Sequence, residues 1–175
     1  VEADTTACPA VEPEPEPTPT SGDGSKRSSP IAYGEKFQAG IFDMQITAVD
    51  TDAWPEIQAE NRFNDPPPSG KQFVLWTLSV WNQRGSVDEP EYVTESDFEL
   101  VGNRGVEYQT FEDGVSCGVT PNDLSENLYR GGMVTGTVCF AVPTNEIGDG
   151  LNLHYEDYQG GNYRVEISVW FDALP

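Results

Sequence analysis

Apolar and polar positions alternate with period two over several short stretches of this chain, and no stretch carries the three-to-four spacing of a long amphipathic helix. The strongest stretch is Lys71 to Asn82, KQFVLWTLSVWN. Val74, Trp76, Leu78 and Val80 fall on one face, and Phe73, Leu75, Thr77, Ser79 and Trp81 on the other. An apolar run that is rich in β-branched and aromatic residues on both faces predicts a central strand with Trp76 buried. Residues 41–49 alternate cleanly, which predicts a strand with Phe42, Met44, Ile46 and Ala48 inward. Residues 98–101 and 106–108 read as a hairpin around Asn103, Arg104 and Gly105. Residues 133–142 place Val134, Gly136, Val138, Phe140 and Val142 on one face and turn Cys139 away from it. Leu151, Leu153 and Tyr155 mark a further strand. A turn at 159–162 leads to a last one, 163–171, with Val165, Ile167, Val169 and Phe171 inward. These elements predict an all-β, antiparallel sandwich of about seven to nine strands.

Two segments break the pattern. Residues 50–70 form a long polar excursion in which Pro66, Pro67 and Pro68 forbid regular structure. Pro55 to Glu60 allows one helical turn with proline at its start, and Trp54, Ile57 and Phe63 are expected to pin the loop to the sandwich edge. Residues 110–127 read as irregular and carry Cys117. Before the domain, residues 1–29 alternate Pro with Glu or Thr and then turn to Ser, Gly and Asp. With almost nothing apolar to bury, they predict a disordered, extended stalk and hinge, and a globular domain over residues 30–175.

Composition narrows the function. Thirty acids against nine bases give a net charge of −21. Such a surface repels phosphate backbones and anionic membranes, which argues against nucleic acid and against direct contact of the domain with lipid. It suits solubility, cationic partners and divalent cations. No run of 18 apolar residues is present, so a soluble body is expected, and a start at Val1 in place of Met fits a targeting segment removed upstream. Cys117 and Cys139 lie in the globular part. They are either bridged or two buried thiols; a bridge would close a loop of about 22 residues and stabilise the fold by roughly 3 kcal/mol. Export favours the bridge. Without a CxxC pair and with one histidine, a metal site at these cysteines is disfavoured. Cys8, in the stalk, is a free or intermolecular thiol or the acceptor of a lipid anchor; an N-terminal anchor, there or on a cysteine upstream of Val1, is the expected route to a membrane.

The candidate chemistry is sparse. His154 alternates to a strand's outward face and reads as a surface histidine; Ser116-Cys117 lacks a nucleophile elbow, and no glycine-rich phosphate loop opens a helix. No cofactor is expected, with calcium the one candidate ion, because hard cations take loop carboxylates and carbonyls. Asp50, Asp52 and Glu56 form one candidate set; Asp88, Glu89 and Glu91, continued by Glu95 and Asp97, form another. Neither matches an EF-hand loop. Trp54, Trp81 and Trp170 are the candidate interaction residues, since alternation turns Trp81 and Trp170 away from the predicted core.

The order GEKFQAGIFDMQITAV, KQFVLWTLSVWNQRG, SDFELVGNRGVEY, NLYRGGMVTGTVCFAVP resembles the telokin-like, immunoglobulin-like domain family of secreted bacterial proteins and lipoproteins, over about residues 31–172. Most of its members have no assigned function, and mycobacterial secreted immunogenic antigens are among them. The clearest matches are the strand ending at Asn82, the hairpin marked by Phe98, Gly105 and Tyr108, and the run from Gly132 to Pro143. The family often has Pro-Gly before that last strand, where this chain has Arg130-Gly131-Gly132. The resemblance implies an immunoglobulin-like sandwich and export, with a lipid anchor in many members, and supplies no catalytic residues. The expectation is therefore an exported, monomeric, non-enzymatic domain, secreted or tethered to the envelope, that binds an unidentified protein or envelope component. The alternative is an extracellular accessory domain that binds calcium or a small ligand through its acidic loops.

Overall fold

A computed structural model describes residues 21–157 and 167–175. The Pro/Glu segment with Cys8, the turn at 159–162, and the start of the last expected strand, with its inward Val165, lie outside the described residues. The strand expected over 41–49 is β2 (Phe42–Asp50), edged by the short β1 (Phe37–Ala39). The central strand is β3 (Lys71–Asn82), with the same bounds as the apolar run that predicts it. It pairs antiparallel with β2 on one side and, over eleven residues, with β10 (Met133–Pro143) on the other, giving the sheet β1-β2-β3-β10.

The opposing sheet has the order β12-β11-β5-β6. It is built from β5 (Phe98–Val101), β6 (Glu107–Gln109), β11 (Asn152–Asp157) and β12 (Ile167–Asp172). Two short pairs decorate this sandwich: β4 (Glu91–Thr94) with β9 (Ser125–Leu128), and β7 (Phe111–Glu112) with β8 (Val115–Ser116). They raise the strands among the described residues to twelve, and they give local order to the 110–127 segment that reads as irregular.

The core lies between the sheets. Val74, Trp76, Leu78 and Val80 of β3 meet Phe98, Leu100, Leu153, Tyr155 and Phe171 of the opposing sheet. Trp76 is fully buried, its ring is set edge-on to Phe140, and its indole N–H donates to the carbonyl of Ala173 at 2.7 Å. That bond ties the central strand to the C-terminal segment across the core and satisfies the one polar group the ring carries inside. Gly136 of β10 faces the same core. A Cβ there would stand 2.9 Å from the Cα of Leu124, so the missing side chain is what lets Leu124 tuck, fully buried, against the strand.

The outer face of β3 is also apolar at one end, and it is covered from within the chain. Phe73 and Leu75 pack with Ala53 and Ile57, the latter from the short helix α1 (Trp54–Glu60), and with the cystine Cys117–Cys139. The bridge straps the 110–127 loop across the outside of its sheet, as the alternation of β10 requires.

Three expectations need correction. Ala48 does not face inward: a β-bulge between Ile46 and Ala48 shifts the register, so Ala48 is exposed and Val49 packs on the core instead. Phe63 does not pin the 50–70 loop; it stands 77% exposed, and Asn64 anchors the loop instead. Residues 21–29, assigned by composition to the hinge, are bonded to the body. The Trp170 amide donates to the Gly24 carbonyl, and Arg27 donates to the carbonyls of Gly102 and Gly150 and to Asn152 Oδ1.

Asn82 explains why the end of β3 stands out in the sequence. Fully buried, it donates from Nδ2 to the Leu128 carbonyl (2.7 Å) and accepts the Gly85 amide at Oδ1 (2.8 Å), while its backbone pairs with Gly131 and Gly132. Asn82→Ala leaves two buried backbone groups without partners. A loss of about 2–4 kcal/mol is expected, measured as a lower urea midpoint at unchanged slope. A loss under about 0.5 kcal/mol would show that water replaces both bonds.

Candidate functional site

Sheet register brings one titratable cluster together. On the outer face of the second sheet, His154 of β11 is directly opposite Trp170 of β12 and Glu99 of β5, and Glu156, two residues further along β11, is opposite Ser168. Trp170 stacks on the imidazole with ring centroids 3.9 Å apart and planes 12° from parallel. The expectation of a surface histidine is therefore wrong: His154 is 5% exposed, because alternation gives the face but not what lies over it. Its Nε2 is 2.7 Å from Ser168 Oγ and 3.6 Å from Glu156 Oε1, and its Nδ1 is 3.5 Å from Glu99 Oε2. A polar cleft of about 310 Å³ adjoins the cluster, lined in part by Glu99, Glu156, Gln109 and Thr110.

Burial dominates the electrostatics here. It lowers the His154 pKa, against the opposing pull of Glu156 and Glu107, and so favours the neutral ring. Burial pushes Glu99 up to about 7, assisted by repulsion from Glu107 and Glu156. Burial and then Asp123 raise Glu95 to about 7, and burial raises Asp97, on the wall of the cleft, to about 6 with a further push from Asp157, even though Asp97 accepts the Thr94 amide. Glu146, fully buried, goes the other way. Its desolvation is outweighed by hydrogen bonds from Arg104, which hold the carboxyl below its usual range and fasten the 102–105 turn.

Ser168, His154 and Glu99 follow the order of a nucleophile–base–acid relay. Acyl transfer is disfavoured at this position because the Glu156 carboxylate sits beside the same Nε2, where a developing oxyanion would be repelled.

A second feature is the loop face. Asn64 donates to the Val119 carbonyl (2.7 Å) and accepts the Val119 amide (3.0 Å), which clips the 50–70 excursion to the cystine loop. Between them lies a groove of about 360 Å³ lined in part by Phe63, Pro66, Pro68 and Val115. Phe63 and Val119 (54% exposed) stand beside it.

The model of the domain of unknown function DUF4352 matches residues 31–165. The chain belongs to the DUF4352 family. None of the curated proteins matches it. Among solved structures, the DUF4352 chain resembles a functionally unknown protein of Listeria monocytogenes at 9% identity, over 80% of this chain and 81% of that one, with a TM-score of 0.51. It also resembles the ycdA protein of Bacillus subtilis, at 15% identity and a TM-score of 0.50, over 78% of this chain and 37% of that one. The secreted protein MPT63 of Mycobacterium tuberculosis is similar at 12% identity, over 82% and 97% of the two chains, with a TM-score of 0.49. The first two likenesses support the β-sandwich and nothing finer.

Within this DUF4352 domain the three tryptophans are half-buried, each against its own chain: Trp54 edge-on to Phe73, Trp81 beneath the Lys36 ammonium at 4.0 Å, and Trp170 on His154. The large side chains left exposed are others, among them Phe63, Phe111, Tyr92 and Tyr129. They sit in loops or very short strands, where no periodicity marks them. Neither acidic set collects three side-chain ligands: among the described residues the only three histidine, cysteine or carboxylate groups within 4.8 Å of one another are Glu99, His154 and Glu156. Asp50, Asp52 and Glu56 are exposed, with Asp50 accepting the Asp52 amide; Asp88 and Glu89 are exposed around Ser86, and Glu91 lies in β4.

The raised carboxyls set a pH dependence. Glu95 binds its proton up to about pH 7 when folded and releases it near 4.5, the ordinary value of a glutamate, when unfolded. Its contribution is fully present below that lower value and is lost as pH rises through 7; Asp97 acts with the same sign. Melting temperature in chelator-treated buffer is expected to fall between pH 5 and pH 8, and Glu95→Gln to flatten the fall and raise the value at pH 8. A variant whose profile superimposes on the wild type would remove Glu95 as a cause.

Proposed function

We propose that this is an exported, non-catalytic domain that binds a protein of the cell envelope through its clipped loop face. The observation that carries the reading is Phe63: a phenylalanine 77% exposed on a segment that two hydrogen bonds between Asn64 and Val119 and the nearby cystine hold in place. An exposed aromatic on a mobile loop costs little to bury internally, so one held outward beside a groove is the arrangement of a contact residue. Holding it rigid also lowers the ordering entropy lost on binding. Export is supported by the Cys117–Cys139 bridge, a bond that persists in oxidising compartments. It fits with ycdA, described provisionally as a lipoprotein. The net charge of −21 favours a partner with a basic surface.

The test is site-specific photocrosslinking in the native host. A benzophenone amino acid at Phe63 is expected to give one discrete adduct, which the same group at exposed Lys26 does not give. Phe63→Ser is expected to weaken capture while the melting temperature moves by less than about 2 °C, since the ring leaves little buried surface behind. Equal adducts from both positions would defeat the loop-face reading, and ester hydrolysis lost in Ser168→Ala would defeat the non-catalytic one.

A further inference from the structure

The cluster on the outer face of the second sheet has the composition and geometry of a metal site, and this stands independently of the loop face. Glu99, His154 and Glu156 come from two neighbouring strands, and one donor atom from each lies within 4.8 Å of the other two. Their side chains are 20%, 7% and 18% exposed, so all three are held in the sheet surface and not splayed into solvent. The ring is clamped: Trp170 covers it at 3.9 Å, and Ser168 Oγ engages Nε2 at 2.7 Å.

The carboxylate approaches, 3.5 Å to Nδ1 and 3.6 Å to Nε2, are longer than the roughly 2.7–2.9 Å of a charge-assisted hydrogen bond. The 3.5 Å from Glu99 to Nδ1 is close to the spacing of about 3.3 Å between neighbouring ligands of one tetrahedral ion with bonds of 2.0–2.1 Å, and Glu156, which is nearest Nε2, completes a set whose donor atoms all lie within 4.8 Å of one another. In the tautomer that donates Nε2–H to Ser168, the Nδ1 lone pair faces the Glu99 carboxylate, and a metal ion there would serve both acceptors. A second partner on the far ring nitrogen is also the usual means of orienting a metal-bound imidazole.

We propose that Glu99, His154 and Glu156 bind a divalent transition-metal ion of the zinc class through one imidazole nitrogen and two carboxylate oxygens. The two carboxylates balance the ion's charge. The imidazole selects a borderline ion over calcium or magnesium, which prefer shells built of oxygen alone. Further coordination positions open toward the cleft beside Glu99 and Glu156, which has room for water or for a donor brought by another molecule.

The test uses the full chain, free of any histidine tag and stripped with chelator. His154 is the only histidine, so the imidazole nitrogen signals in an NMR spectrum report on this site alone. One equivalent of zinc is expected to shift those signals, and calorimetry to give one high-affinity site per chain. Glu99→Gln and Glu156→Gln, which keep side-chain volume, are each expected to weaken zinc at least about tenfold. Calcium at the same concentration is expected to leave the imidazole signals in place. Unmoved signals at one equivalent of zinc would overturn the site, whatever the variants do. Zinc affinity unchanged in both variants would assign the binding to the general acidic surface, and an equal response to calcium would overturn the choice of ion.

Discussion

The structure depends on a single constraint: β3 is apolar on both faces, so it must be covered twice. A strand that buries one face needs only an opposing sheet, but Phe73 and Leu75 on the back of β3 demand a second cover over part of its length. The opposing sheet supplies the first, fastened by the bond from Trp76 to Ala173. The chain's two long excursions supply the second, with Ile57 of α1 arriving from one and Cys117 from the other. The cystine is therefore more than an entropic staple on the unfolded chain. It fixes the part of the cover that brings few apolar side chains of its own.

The same constraint separates what was legible in the sequence from what was not. Alternation places Trp76, Phe140, Leu153 and Phe171 correctly because a buried face repeats every second residue regardless of what it packs against. It fails at Ala48, where one inserted residue shifts the phase, and no composition marks that bulge. It fails differently at His154. The outward direction is right, but exposure is set by a neighbouring strand that puts Trp170 on top of the ring. Phe63 differs for the opposite reason: an apolar residue in a loop suggests an anchor, but Asn64 beside it takes that role.

The metal-like cluster was illegible because it is a product of register. Glu99 and His154 are 55 positions apart by their numbering, and they meet because β11 inserts between β5 and β12. Acidic residues close in sequence, such as Asp88, Glu89 and Glu91, were the visible candidates. Along a turn or strand, however, neighbouring side chains diverge, and mutual repulsion keeps them in water. Cross-strand neighbours have no such freedom, because the backbone ladder holds their Cβ atoms about 5 Å apart. Trp170 is the outward tryptophan that reads from sequence as a partner contact, and its place over His154 makes it a wall of the cluster.

Net charge then distinguishes the two loci. A surface of −21 gathers cations everywhere, so accumulation of ions says little about any one site. What differs at Glu99, His154 and Glu156 is the presence of a nitrogen donor and the ladder that holds all three side chains together, and neither operates at an exposed aspartate on a turn. At the loop face the exposed element is an apolar ring, on a segment held by the hydrogen bonds of Asn64. The hairpin of β7 and β8 contributes to both, Phe111 to the cleft beside Glu99 and Val115 to the groove beside Phe63.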